Sequence, residues 1–268
     1  MRWWLRVRPA AVSGILRPVQ CSPRWVPAGQ SQGYAIASLA AREPGGPARV
    51  VHVPASQHIP PPVRPGHPHA RVAVLASGAG TILQSVLDAG DPLHVVVVGA
   101  DRRDAPALDR ARTAGVDTFT VEVADHPDRA SWDEALTARL CAAQPDLVVL
   151  AGFMRLVGPA LLDAFEHRVL NTHPALLPAF PGMHGPADAL AYGVTVSGAT
   201  LFIVDSGTDT GPIIDQRTVP VLAEDTVDRL HERIKQVERE MMVRNLAAMA
   251  RTGWTVQLDP QRRKVTMP

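Results

Sequence analysis

The chain has 268 residues, 46% of them hydrophobic and 20% charged, with a formal net charge of +1. That length and composition suit one or two domains with a packed core, and the balanced charge excludes a general electrostatic pull toward nucleic acid or anionic membrane. Its two cysteines, Cys21 and Cys141, form neither a disulfide framework nor a metal-ligand spacing, which points to a reducing compartment and the cytoplasm.

Up to residue 70 the only acidic residue is Glu43, while arginines recur from Arg2 to Arg64 and prolines crowd Pro44 to Pro68. With no periodic apolar residues, such a segment cannot offset its ordering entropy. Residues 1–70 are expected to be a disordered extension; an organelle-targeting segment and a small functional module are the competing readings. No apolar run reaches the ~20 residues of a membrane span.

From Arg71 onward, strand and helix signals alternate. Arg71 to Ala76 reads as a strand, Thr81 to Asp88 as a helix, and Leu93 to Ala100 as a β-branched strand. A helix near Ala105 to Thr113, a strand over Val116 to Val121, a helix over Ser131 to Ala143 and a strand over Leu147 to Ala151 follow. This order predicts an α/β fold: a Rossmann-like, mostly parallel sheet with helices on both faces, spanning 71–268. Later, Val196 to Val204 and Ile213 to Val219 read as strands. Asp225 to Ala250 reads as a long helix with Val227, Leu230, Ile234, Val237 and Met241 on one stripe.

Three segments carry chemistry. Ser77-Gly78-Ala79-Gly80-Thr81 follows the first strand and opens a helix. Glycines there admit an anion close to the backbone, and the first helical amides can bind it. The third glycine of a dinucleotide fingerprint is missing, so a single phosphate fits better; a ligand-free tight turn is the alternative. Next, a short apolar strand ends in Asn171-Thr172-His173-Pro174. Side chains two apart share a face, so an amide donor and an imidazole project together from the strand end. There they can stabilise an oxyanion or move a proton, or simply serve structure. Last, Asp205-Ser206-Gly207-Thr208-Asp209-Thr210-Gly211-Pro212 joins two strands. Asp209 is the candidate carboxylate, and Asp205 reads as a turn cap. Between them, the Pro- and Gly-containing loop Ala179 to Gly185 suggests a shaped binding loop.

These residues resemble phosphoribosylglycinamide formyltransferases. Ser77 to Thr81, Ala151-Gly152-Phe153-Met154-Arg155, Asn171 to Pro178 and Asp209-Thr210-Gly211-Pro212 match in order and spacing over roughly Arg71 to Leu258. The resemblance implies a formyltransferase-type fold that moves a formyl group from 10-formyltetrahydrofolate to the amine of glycinamide ribonucleotide in purine synthesis. It implies Asn171, His173 and Asp209 as the catalytic set. It implies that the amides of Gly80, Thr81 and Ile82, with Lys235 and Glu238, hold the phosphate and ribose. It implies Met154, Arg155 and Val157 at the pterin and Arg129 at the folate tail. No metal is expected, nor any nucleic-acid or membrane partner, and a homodimer is compatible with the resemblance.

One position departs. Many family members carry a histidine in a Thr-Val-His-Phe context before the Asp loop; here Thr200-Leu201-Phe202-Ile203 puts Phe202 there. Phenylalanine cannot hydrogen-bond, so a polar support for Asp209 is missing. The competing readings are a formyltetrahydrofolate deformylase, in which water replaces the amine, and a weakly active folate- or nucleotide-binding homologue.

Overall fold

The computed structural model describes residues 56–63, 65–259 and 262–268. In chain order these form β1 (Ser56–Ile59), β2 (Ala70–Leu75), α1 (Thr81–Ala89), β3 (Leu93–Ala100), α2 (Pro106–Thr113), β4 (Thr118–Thr120) and α3 (Arg129–Ala143). Then come β5 (Leu147–Leu150), α4 (Pro159–Ala164), β6 (Val169–His173), α5 (Gly185–Tyr192), β7 (Val196–Ile203) and β8 (Ile213–Pro220). The chain closes with α6 (Val227–Thr252), β9 (Trp254–Asp259) and β10 (Arg262–Thr266).

A seven-stranded sheet runs β4-β3-β2-β5-β6-β7-β8. Its first five members pair in parallel, and β7 turns antiparallel to both β6 and β8. The expected mostly parallel α/β sheet is therefore present. The chain builds outward from β2 to β4, then returns to lay β5 and β6 on the other side. That reversal leaves a crevice beyond the carboxyl ends of β2 and β5, the usual ligand position in open α/β sheets.

Strand alternation divides the core between the two faces. Val72 and Val74 of β2 join Leu83, Val86, Leu230 and Ile234, so α1 and α6 cover one face. Ala73 and Leu75 join Trp132, Leu136, Leu161 and Phe165, so α3 and α4 cover the other. Helix α6 begins where the Thr226 hydroxyl accepts the Arg229 amide, an N-cap. Its buried stripe runs Leu230, Ile234, Glu238, Met241 and Met242. Val227, expected on that stripe, is exposed; it is the first residue of the helix.

Several elements differ from expectation. β4 is shorter, and α4, α5, β9 and β10 have no counterpart among the expected elements. Helices of six and eight residues are too short to show a periodic face. The expected boundary at residue 70 is also corrected. Ser56–Ile59 pairs antiparallel with β9, Ile59 is buried, and β1-β9-β10 forms a second, three-stranded sheet. A short strand is stable in a Pro-rich context because its partner comes from the far end of the chain. Residues 1–55, where the rest of the expected extension falls, lie outside the described residues. Among the described residues no helix is long and apolar enough to cross a membrane.

Candidate active site

The crevice floor starts at the turn after β2. Gly80 takes φ +70, a left-handed conformation that costs other residues roughly 1–2 kcal/mol. A Cβ there would also stand 2.7 Å from the Ala107 Cβ, so glycine lets α2 approach the start of α1. The Arg110 guanidinium donates to the Ala79 carbonyl at 2.7 Å and braces the turn. No side chain caps α1, which leaves the amides of its first turn facing the crevice. Gly80, Thr81 and Ile82 thus present backbone groups, and the Ile82 side chain is buried.

A second loop leans on this turn. The Ser77 hydroxyl accepts the Met154 amide at 2.9 Å, and the Ser77 amide donates to the Gly152 carbonyl at 3.2 Å. Beyond it, Met154 and Leu156 hold apolar side chains out to solvent. The Arg155 guanidinium pairs at 2.8 Å with Asp101, buried just past β3. Arg129 donates to the Leu156 carbonyl and lies 4.3 Å over the Trp132 ring, so it braces this loop from below. Next to it a cavity of about 370 Å³ is bounded by Val157, Leu162, His167, Val204 and Asp205. Behind the lining residues Gly158 and Pro159, Asp133 of α3 accepts the amides of Gly158 at 2.7 Å and Ala160 at 2.8 Å.

The polar cluster stands at the end of β6. His173 Nε2 donates to the Phe180 carbonyl at 2.7 Å, and its Nδ1 lies 3.3 Å from the Asp209 carboxylate. The same carboxylate oxygen accepts the Gly182 amide at 2.7 Å. A carbonyl can only accept, so the proton on Nε2 is fixed and Nδ1 faces the carboxylate. Asn171, half-buried, sits two residues earlier on β6 and pairs across the ladder with Phe202 of β7. Cross-strand partners share a face, so the apolar ring of Phe202 stands beside the Asn171 amide.

Helix α6 brings a further carboxyl to the opposite side of β6. Glu238 is buried, and burial pushes its carboxyl up to about 7, against the opposing pull of a Thr172 hydrogen bond and the charges of Lys235 and Arg239. Lys235 is half-exposed and turns to Glu232, 3.5 Å away, rather than to Glu238.

The structure therefore brings His173 and Asp209 into contact, with Asn171 on the same strand end. It puts Met154, Arg155 and Val157 on one loop with Arg129 beneath, and Gly80, Thr81 and Ile82 on the turn that loop touches. It does not join Lys235 to Glu238. Sequence reasoning missed Ser77, Asp101, Asp133 and the backbone of Phe180 and Gly182. Only the turn-rich composition of Ala179 to Gly185 hinted at the last two. Asp205 serves as the expected turn cap, accepting from the Gly207 amide and the Thr210 hydroxyl.

Comparison with known proteins gives the following. The model of the formyl transferase family matches residues 70–246. Phosphoribosylglycinamide formyltransferase of Mycobacterium tuberculosis is 57% identical over 203 residues, covering 74% of this chain and 94% of that protein. Phosphoribosylglycinamide formyltransferase of Bacillus subtilis is 34% identical over 178 residues, 63% of this chain and 89% of that protein. The crystal structure of glycinamide ribonucleotide transformylase 1 from Symbiobacterium toebii superposes with a TM-score of 0.69 at 44% identity, over 74% of this chain and 94% of that one.

Proposed function

This chain belongs to the formyl transferase family, and from that premise we propose that it transfers the formyl group of 10-formyltetrahydrofolate to the amine of glycinamide ribonucleotide in purine synthesis. The observation that carries the reading is the His173–Asp209 contact at 3.3 Å, at the sheet's carboxyl end, in a chain 57% identical to a phosphoribosylglycinamide formyltransferase over nearly all of that protein.

The neutral amine attacks the formyl carbon, forming a carbon–nitrogen bond and a tetrahedral centre with negative oxygen and positive nitrogen. Asn171 donates to that oxygen, and His173 does so once its Nε2 proton leaves the Phe180 carbonyl; losing one such donor typically costs ~3 kcal/mol. Asp209 accepts the proton leaving the amine, directly or through a water, and returns it to the folate nitrogen as the old carbon–nitrogen bond breaks. The Gly182 amide holds one Asp209 oxygen, which leaves the carboxylate fixed in orientation. The amides of Gly80, Thr81 and Ile82, with Lys235, hold the phosphate, and Glu238 takes the ribose hydroxyls. Backbone groups of Met154, Arg155 and Val157 seat the pterin beside the cavity, and Arg129 serves the folate tail. Holding both substrates at reacting distance supplies much of the acceleration.

We place the enzyme in the cytoplasm, as a homodimer without nucleic-acid or membrane partners; the net charge of +1 suits that reading, and sedimentation tests the dimer. The function itself is tested by turnover with 10-formyltetrahydrofolate, with and without glycinamide ribonucleotide. Formylated ribonucleotide and tetrahydrofolate are expected only when both substrates are present. Formate release without the amine would make the chain a deformylase, and binding without turnover would make it a non-catalytic homologue.

A further inference from the structure

The loop that carries Asp209 is held from two sides. On the crevice side are His173 and the Gly182 amide. On the other side is a residue far from every family motif. Arg263 of β10 donates through one guanidinium nitrogen to the Thr210 carbonyl at 2.8 Å and pairs through the second with Asp205 at 2.8 Å. The other Asp205 oxygen accepts from the Thr210 hydroxyl at 2.7 Å and the Gly207 amide at 3.1 Å. Burial raises the Asp205 carboxyl, but the hydrogen bonds from Thr210 and Arg263 outweigh it and hold the group below its ordinary value. Asp209 itself takes φ +55, a conformation that needs support from its surroundings.

We propose that Arg263 is a positioning residue for the transfer step: from the C-terminal hairpin it clamps both ends of the turn around Asp209 and so keeps that carboxylate against His173. The proposal rests on the reading that Asp209 moves the proton. A planar guanidinium can bridge a carbonyl and a carboxylate at once, which a lysine ammonium does poorly. The side chains of Arg263 and Asp205 are 49% and 30% exposed, so their ion pair adds little to global stability. Catalysis is more sensitive, because a displacement on the order of 1 Å at a reacting group can cost ~100-fold.

The test is steady-state kinetics of Arg263→Met, Arg263→Lys, Asp209→Asn and the Arg263→Met/Asp209→Asn double variant, each with a thermal melt. Arg263→Met is expected to lower kcat ~10-fold, with KM for glycinamide ribonucleotide within ~2-fold, and Arg263→Lys to recover part of the loss. In the Asp209→Asn background Arg263→Met should cost nothing further, since it acts through Asp209. Amide exchange at Gly207 and Gly182 should quicken in Arg263→Met. A kcat for Arg263→Met equal to wild type, or losses that multiply in the double variant, overturns the proposal while leaving the formyl-transfer reading intact. A wild-type kcat for Asp209→Asn instead removes Asp209 from proton transfer, and the proposal falls with it.

Discussion

Phe202 stands opposite Asn171 on the neighbouring strand and is 2% exposed. An imidazole there has similar volume and faces the Asn171 amide as a partner. Phe202→His is expected to raise kcat by ~10-fold, about 1.4 kcal/mol, by adding a polar support at the site. Should the new ring find no partner, the fold loses about 1–3 kcal/mol. Kinetics alongside a melt separates these outcomes, and an unchanged kcat in a variant that melts normally would show that an apolar neighbour serves the site equally well. Lys235→Ala is expected to raise KM for glycinamide ribonucleotide several-fold and to leave that for the folate unchanged; an equal rise in both would remove Lys235 from the phosphate site. Glu238 supplies a pH dependence. Its carboxyl lies at about 7 when folded against an ordinary 4.5, so the folded state binds the extra proton between those values. This stabilisation is fully present below pH 4.5 and is lost as pH rises through 7, by up to about 3 kcal/mol. Glu238→Gln should flatten that part of the stability curve, as read by urea unfolding from pH 4.5 to 8. That Asn171 and His173 share a strand end and Asp209 a nearby loop is legible in the sequence from spacing and turn composition, while their reading as a catalytic set comes from the family resemblance. The Phe180 carbonyl and the Gly182 amide are not, because any residue supplies those groups.

The loop between β5 and α4 shows how elements meet. Helix α4 starts at Pro159 with no side-chain cap of its own. Its first amides are satisfied instead by Asp133, buried on α3 and accepting from Gly158, Ala160 and Leu161. The carboxylate also suits the positive end of the helix dipole. A cap contributed from another helix leaves no local pattern, which is why α4 and the role of Asp133 escape a reading along the chain. The central strands and α6 are legible for the opposite reason: their apolar periodicity is local and long. Asp133→Ala leaves buried amides unpaired and is expected to cost about 1–3 kcal/mol per lost partner. It should also raise KM for the folate, because the loop from Met154 to Gly158 loses its anchor. A melt and substrate titrations check both, and an unchanged folate KM in a destabilised variant would confine Asp133 to structure.

At the scale of the whole molecule, strands from both ends of the described residues join in one small sheet, β1-β9-β10. Ile59 packs where β1 joins β9, opposite Trp254, and a Cβ at Gly253 would come within 2.4 Å of the Ile59 carbonyl. The Trp254 indole donates to the His167 carbonyl at 3.1 Å, beside the cavity, and the Val63 amide donates to the Ala250 carbonyl at 3.0 Å. β9 is the middle strand of this small sheet, so removing β1 turns it into an edge over Ile59's former place. A lone two-stranded hairpin is marginally stable in water, and burying an isoleucine contributes roughly 2–5 kcal/mol by truncation. A chain starting at residue 70 should therefore melt below one starting at residue 56. At about 2–4 °C per kcal/mol for a domain of this size, the expected gap is roughly 4–20 °C. Activity should fall as well, since β10 carries Arg263 and a loosened hairpin releases the Asp209 loop. In the shorter chain, Arg263→Met should then lower kcat less than it does in the longer one. Equal melting temperatures for the two chains would show that β1 contributes nothing to the domain, and equal effects of Arg263→Met in both would show that the hairpin holds its place without β1.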